Sequence, residues 1–162
     1  MNSLRTQGGW LIALSVLLAL VLTLVPLPSS LEHLRPDWVA LVLIYWSLAL
    51  PSRVGVGIAW LVGILQDALQ GTLLGAHALV LALSVFLIIE LHQRIRNFPI
   101  WQQALTVLFV LSIGRAALLW IRGLGGNADL DWRFWMPALT SAVIWPLIFG
   151  LLRTLRRYYR VS

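Results

Sequence analysis

Six runs of apolar residues, separated by short polar or proline-bearing gaps, organise this chain. They cover about 9–25, 37–50, 54–70, 72–89, 100–121 and 134–152. A helix rising 1.5 Å per residue needs about 20 such residues to cross about 30 Å of hydrocarbon, and most of the runs approach that length. In lipid every backbone polar group must be satisfied internally, so runs this uniformly apolar predict helices. The predicted fold class is all-α: a polytopic membrane protein, a compact bundle of six transmembrane helices forming a single integral membrane domain over 1–162.

Prolines mark the gaps. Pro26 and Pro28 end the first run, Pro36 precedes the second, Pro51 stops it, and Pro99 precedes the fifth. A residue with fixed φ and no N–H suits a first turn or a stop. Pro146 lies inside the sixth run, where it is expected to kink the helix and free the carbonyl of Ala142. Segment 37–50 is short and rises only about 21 Å. Joined to 54–70 by the tight Pro51-Ser52-Arg53 turn, it predicts either a compact hairpin shielded by its neighbours or a locally thinned bilayer.

Composition agrees with this class. A chain that is 60% hydrophobic and 11% charged cannot supply the polar shell of a soluble domain. The longest polar gap, Arg122 to Arg133, is too short for an independent catalytic or nucleic-acid-binding module. The net charge is +6, and every one of the 12 basic residues is Arg. In a soluble protein that balance points to nucleic acid; here the arginines sit between apolar runs and read as topology, and no nucleic-acid partner is expected. There is no Cys, which excludes disulfides and thiolate metal sites. Arg5 precedes a first run that is long for a signal peptide and is followed by no Ala-x-Ala pattern, so it is expected to remain as the first helix.

With the N-terminus placed inside, the inner segments hold Arg5, Arg53, Arg94, Arg96, Arg153, Arg156, Arg157 and Arg160. The outer loops hold only Arg35, Arg122 and Arg133, together with Glu32, Asp37, Asp67, Asp129 and Asp131, and Glu90 is the single inner acid. That asymmetry predicts both termini in the cytoplasm. Trp10, Trp38, Trp101, Trp120, Trp132 and Trp135 fall near helix ends, as interfacial anchors do, whereas Trp46, Trp60 and Trp145 lie deeper and are expected to pack between helices.

Three groups of residues are candidates for function. In Gly63-x-x-x-Asp67-x-x-x-Gly71-x-x-x-Gly75, small or polar residues recur every four positions, so Gly63 and Asp67 share a helix face. Glycines admit a close backbone, and the stripe reads either as a packing seam with a turn at Gly71 or as a partner-binding surface with Asp67 as a contact. Arg115 lies inside the fifth run, where a charge is costly. It either snorkels outward or pairs with an acid, and Asp67 and His77 stand at a similar depth. Asp67, His77 and Arg115 therefore form a candidate polar pocket open to the outside, or three unrelated interfacial residues. Arg153, Arg156, Arg157 and Arg160 form a terminal cluster that either binds anionic lipid headgroups or docks a cytoplasmic partner.

No catalytic set emerges. Ser84 and Ser112 have no evident base, and a carboxylate pair is missing from the membrane interior. His33, His77 and His92 are too scattered for metal ligation, so no metal and no cofactor is expected.

The order Arg35-Pro36-Asp37-Trp38, Tyr45-Trp46, Leu50-Pro51-x-Arg53-Val54-x-Val56-Gly57, the Gly63–Gly75 stripe, Trp101-Gln102-Gln103-Ala104-Leu105 and Trp145-Pro146 resembles the MreD family of rod-shape-determining membrane proteins. The resemblance covers nearly the whole chain. It implies a non-enzymatic subunit of the bacterial cell-elongation complex in the inner membrane, supporting lateral peptidoglycan synthesis. The implied partners are a single-pass MreC-like protein, RodA, a class B penicillin-binding protein and, indirectly, MreB. It also implies a fold similar to the substrate-binding subunits of ECF transporters. It carries no catalytic residues, and Arg115 matches no motif of it. The competing reading is a transport subunit that binds a small molecule or lipid in the outer pocket.

Overall fold

The structure, a computed structural model, describes residues 8–71, 73–126 and 131–159. Six α-helices follow one another: α1 (Gly9–Leu24), α2 (Trp38–Ala49), α3 (Val56–Gln70), α4 (Ala76–Ile95), α5 (Ile100–Leu124) and α6 (Met136–Tyr158). Short 3-10 turns at Glu32–Leu34 and Trp132–Trp135 lead into α2 and α6. Every run predicted helical contains a helix. Three spans, Ala76–Ile95, Ile100–Leu124 and Trp132–Tyr158, are long and apolar enough to cross a membrane, while α1 and α3 are shorter apolar helices.

The expected fourth boundary shifts. Gly75, at φ 100°, sits in the left-handed region just before α4, so the helix starts at Ala76. It then runs through the polar stretch Glu90–Arg94 to Ile95, because long polar side chains are good helix formers once they reach the interface. Position 72, where the run was expected to begin, lies outside the described residues. α6 continues through Pro146 to Tyr158 and carries Arg153, Arg156 and Arg157 on its last turns.

The short second segment is the axis of the bundle. All of α2 except Trp38 is buried. A helix that is apolar all round is a core helix or a lipid-facing one, and here protein surrounds it. α1, α4 and α6 pack against it, while α3, α4, α5 and α6 pack each on the next. The expected hairpin is corrected in one respect: α2 is shielded, but α3 lies on α4 rather than on α2. The protein around it supplies what the short helix lacks. At its start the backbone amide of Asp37 donates to Ser141 Oγ at 2.9 Å. At its end the guanidinium of Arg96 donates to the carbonyls of Leu48 (3.0 Å) and Ala49 (2.7 Å). Carbonyls at a helix C-terminus have no intrahelical donor, so these bonds complete α2 within the bundle.

The outer surface of the bundle is apolar, with Leu61, Phe109, Val143 and Leu147 turned outward. This is the expected inversion for helices solvated by lipid. Trp46 and Trp145 are buried, the former donating from Nε1 to Ser15 Oγ at 2.9 Å. Trp60 departs from the expectation that it packs between helices and is 49% exposed. The buried side of α3 is Ala59, Gly63, Gln66 and Asp67, and Trp60 falls off that stripe by one residue.

Candidate functional site

The face of α3 that carries Gly63 and Asp67 lies directly on the start of α4. A Cβ on Gly63 would stand 2.2 Å from the Cα of Ala78 and 2.6 Å from its amide nitrogen. Only glycine permits that approach, so the two backbones touch there. One turn further on, Asp67 is completely buried and directs both carboxylate oxygens at the first turn of α4. It accepts from the amides of Gly75 (3.0 Å), His77 (3.1 and 3.2 Å) and Ala78 (3.4 Å). The ring Nδ1 of His77 lies 2.7 Å from Asp67 Oδ1, and since a carboxylate only accepts, Nδ1–H is the donor. The first amides of a helix have no partner of their own and carry the positive end of its dipole. Asp67 is therefore an N-terminal cap for α4, supplied by the preceding helix. Gly71, at φ 68°, ends α3 in the left-handed region and turns the chain so that cap and helix meet.

The three residues expected to share an outer pocket are divided between two pairs. Arg115 does not meet Asp67, because α4 amides and His77 occupy that carboxylate. Its partner is Asp37, expected from the sequence among the outer-loop charges. Arg115 Nη2 donates to Asp37 Oδ1 at 3.0 Å and Oδ2 at 3.2 Å, and Nη1 donates to the carbonyl of Phe134 at 2.8 Å. Its guanidinium also lies over the Phe134 ring, 5.1 Å from the centroid. One side chain of α5 thus ties together the start of α2 and the turn leading into α6. The nearby Arg35 acts similarly on α1, donating to the carbonyls of Thr23 (2.5 Å) and Val25 (2.6 Å).

These groups wall a cavity of about 360 Å³ that Arg35, Asp37, Gln66, His77 and Arg115 line. Arg35 Nε, Gln66 Oε1 and Arg115 Nε are buried without a hydrogen-bond partner among the described residues. His77 and Arg115 thus do share a cavity, with Asp37 in the place expected for Asp67. The one clue to Asp37 in the sequence was its position at the start of a buried helix, at the same outer level as Arg115. Arg35 and Arg96 left a fainter signal, since nothing in a sequence tells a loop arginine from one that caps another helix. Asp129, expected in the outer loop, and Arg5 and Arg160 lie outside the described residues. Among the described residues no group of three or more His, Asp or Glu could hold a metal ion.

A bundle of apolar helices, closed by capping side chains and carrying half-buried ion pairs at one end, defines an α-helical membrane protein. Residues 4–155 match the family model of the rod shape-determining protein MreD. The rod shape-determining protein MreD of Haemophilus influenzae is 36% identical over 149 residues, which is 91% of this chain and 92% of that protein. The chain belongs to the MreD family. No solved structure matches it.

Proposed function

We propose that the protein is a non-enzymatic subunit of the cell-elongation complex, a single integral membrane domain of the bacterial inner membrane with both termini in the cytoplasm. Its role is to hold the membrane helix of a single-pass, MreC-like partner. That partner's outer domain is then placed to act on RodA and a class B penicillin-binding protein, with MreB engaged indirectly. The observation that carries this reading is family membership along nearly the full chain.

The binding face we favour is not the Gly63 stripe, which α4 already covers. Between α1 and α3 lies an open apolar groove of about 630 Å³, lined by Gly9, Ala13, Leu17, Ile58 and Val62 among others. Gly9 and Ala13 stand four residues apart, and a Cβ on Gly9 would meet nothing within 4 Å. Such a pair lets a second helix come close in lipid, where close packing rather than hydrophobicity holds helices together. Depleting the protein in its rod-shaped host is expected to turn rods into wide, round cells. Photo-crosslinkers at Ala13 and Val62 are expected to capture a single-pass partner, and one at the distant Phe109 is not. Capture only from Phe109 would move the interface to another face, and unchanged rods would remove the reading.

The second reading, a transport subunit akin to ECF substrate-binding components, draws on the polar cavity between Arg35, Asp37, Gln66, His77 and Arg115. Depletion would then halt growth until a nutrient is supplied, with cell width unchanged.

A further inference from the structure

At the end of the bundle opposite the Asp37–Arg115 pair, a second cavity of about 320 Å³ opens between α2, α5 and α6. Its wall includes Arg96, Arg153 and Arg156, the polar side chains of Tyr45 and Gln103, and the ring of Phe149. Among the described residues no carboxylate lines it, and the ion pairs are His77–Asp67 and Arg115–Asp37, both at the other end. Among the described residues, three arginines thus line one small space and no carboxylate does.

Two of the three are anchored. Arg96 is anchored by its bonds to the carbonyls of Leu48 and Ala49. Arg153 lies over the Phe149 ring, 5.9 Å from the centroid. Gln103 is held between the carbonyl of Ile95 (3.2 Å) and the Trp145 indole N–H (3.4 Å). Arg96 and Arg153 are exposed and Arg156 is half-buried, so the space opens at the surface, and like charges sharing it repel until an anion joins them. Planar guanidinium groups match the oxygens of a phosphate, two bonds at a time. Basic pockets between membrane helices suit anionic headgroups, and the half-buried Phe149 ring offers an apolar surface to an acyl chain.

We infer that the Arg96–Arg153–Arg156 cavity is a binding site for the phosphate of an anionic phospholipid, in the leaflet that the arginine bias assigns to the cytoplasm. Arg153 and Arg156 thereby have a seated ligand beyond general attraction to the membrane surface. Arg94 and Arg157 stand at the same end but do not line the cavity.

The test is native mass spectrometry of the full-length protein in detergent, titrated with phosphatidylglycerol or with zwitterionic phosphatidylcholine. Saturable phosphatidylglycerol adducts are expected, weakened about tenfold or more in R153Q/R156Q and retained in R94Q/R157Q. R153K/R156K, which keeps the charge, is expected to recover part of the binding and separates loss of the site from loss of folding. Equal adducts with phosphatidylcholine, or equal loss in R94Q/R157Q, would overturn the site in favour of unspecific adhesion. Displacement of the lipid by millimolar glycerol phosphate would overturn the lipid assignment in favour of a free phosphate compound, and persistence of the adducts supports it.

Discussion

Asp67 binds His77 twice, once through the backbone amide at 3.1 Å and once through the ring Nδ1 at 2.7 Å. The carboxylate that the spacing marked as a ligand or partner contact is turned inward, onto the start of the next helix. Removing it leaves buried amide donors with nothing to bond. Asp67→Ala is therefore expected to lower stability by about 2 kcal/mol, and Asp67→Asn by less, because the amide oxygen still accepts. Thermal unfolding in detergent checks this, and an unchanged Asp67→Ala midpoint would remove the capping role.

Gly63 makes a sharper case. Gly63→Ala places a methyl group against backbone atoms of Ala78, which cannot swing aside. The expected cost is about 1–3 kcal/mol, as for other overpacked sites. Ala78→Gly should not restore it, since the clash is with Cα and N rather than with the side chain. Gly57→Ala serves as the control. Nothing lies within 4 Å of its added Cβ, and better helix propensity is expected to leave stability equal or raised by up to about 1 kcal/mol. Rescue of Gly63→Ala by Ala78→Gly would show that α3 and α4 stand further apart.

The pairing of Arg115 can be settled by two double-mutant cycles. Arg115→Leu with Asp37→Asn is expected to show a coupling of at least about 0.5 kcal/mol, because the two share a direct ion pair. Arg115→Leu with Asp67→Asn should be additive to within about 0.5 kcal/mol. The reverse ranking, measured by unfolding in detergent, would return Arg115 to Asp67.

Two of the three tryptophans expected to lie deep, Trp145 and Trp60, should respond differently. Trp145 is fully buried and donates to Gln103, so Trp145→Ala is expected to cost about 3–5 kcal/mol. Trp60 faces outward, and Trp60→Leu is expected to stay within about 0.5 kcal/mol. Similar losses at both would bring Trp60 back between helices.

Orientation is open to direct test because the chain has no native Cys. Ser29→Cys, in the exposed link after α1, is expected to react with a membrane-impermeant maleimide on intact cells. Ser52→Cys, in the exposed turn between α2 and α3, should react only after permeabilisation. The opposite pattern would invert the topology drawn from the arginine bias.

Helix number is legible because lipid selects long apolar runs and prolines interrupt them, whereas α4 and α6 run six residues past their expected ends, where polar side chains continue the helix. The enclosure of α2 was only half legible. In a membrane protein the lipid-facing and protein-facing sides of a helix are equally apolar, so the run from Val39 to Ala49 looks the same in either surrounding. Its shortness hinted at shielding, but not at which helices do it. Four-residue spacing placed Gly63 and Asp67 on one face, yet it could not say that the face is filled from within the chain. Arg115 announced a partner by its cost. The sequence places one acid, Asp67, at a suitable depth, and only three-dimensional packing gives Asp67 to the α4 amides and leaves Asp37 for the arginine.

The enclosure of α2 also bears on how the protein is made. α2 emerges from the ribosome second, yet two of the helices that wrap it, α4 and α6, come later, and α6 last of all. Until then a helix of 12 residues, too short to match the bilayer, waits without its wall, and Asp37 waits for Ser141. Assembly of the first half is thus completed by the final helix, and a chain interrupted after α5 would leave its own centre open to lipid and to quality-control proteases.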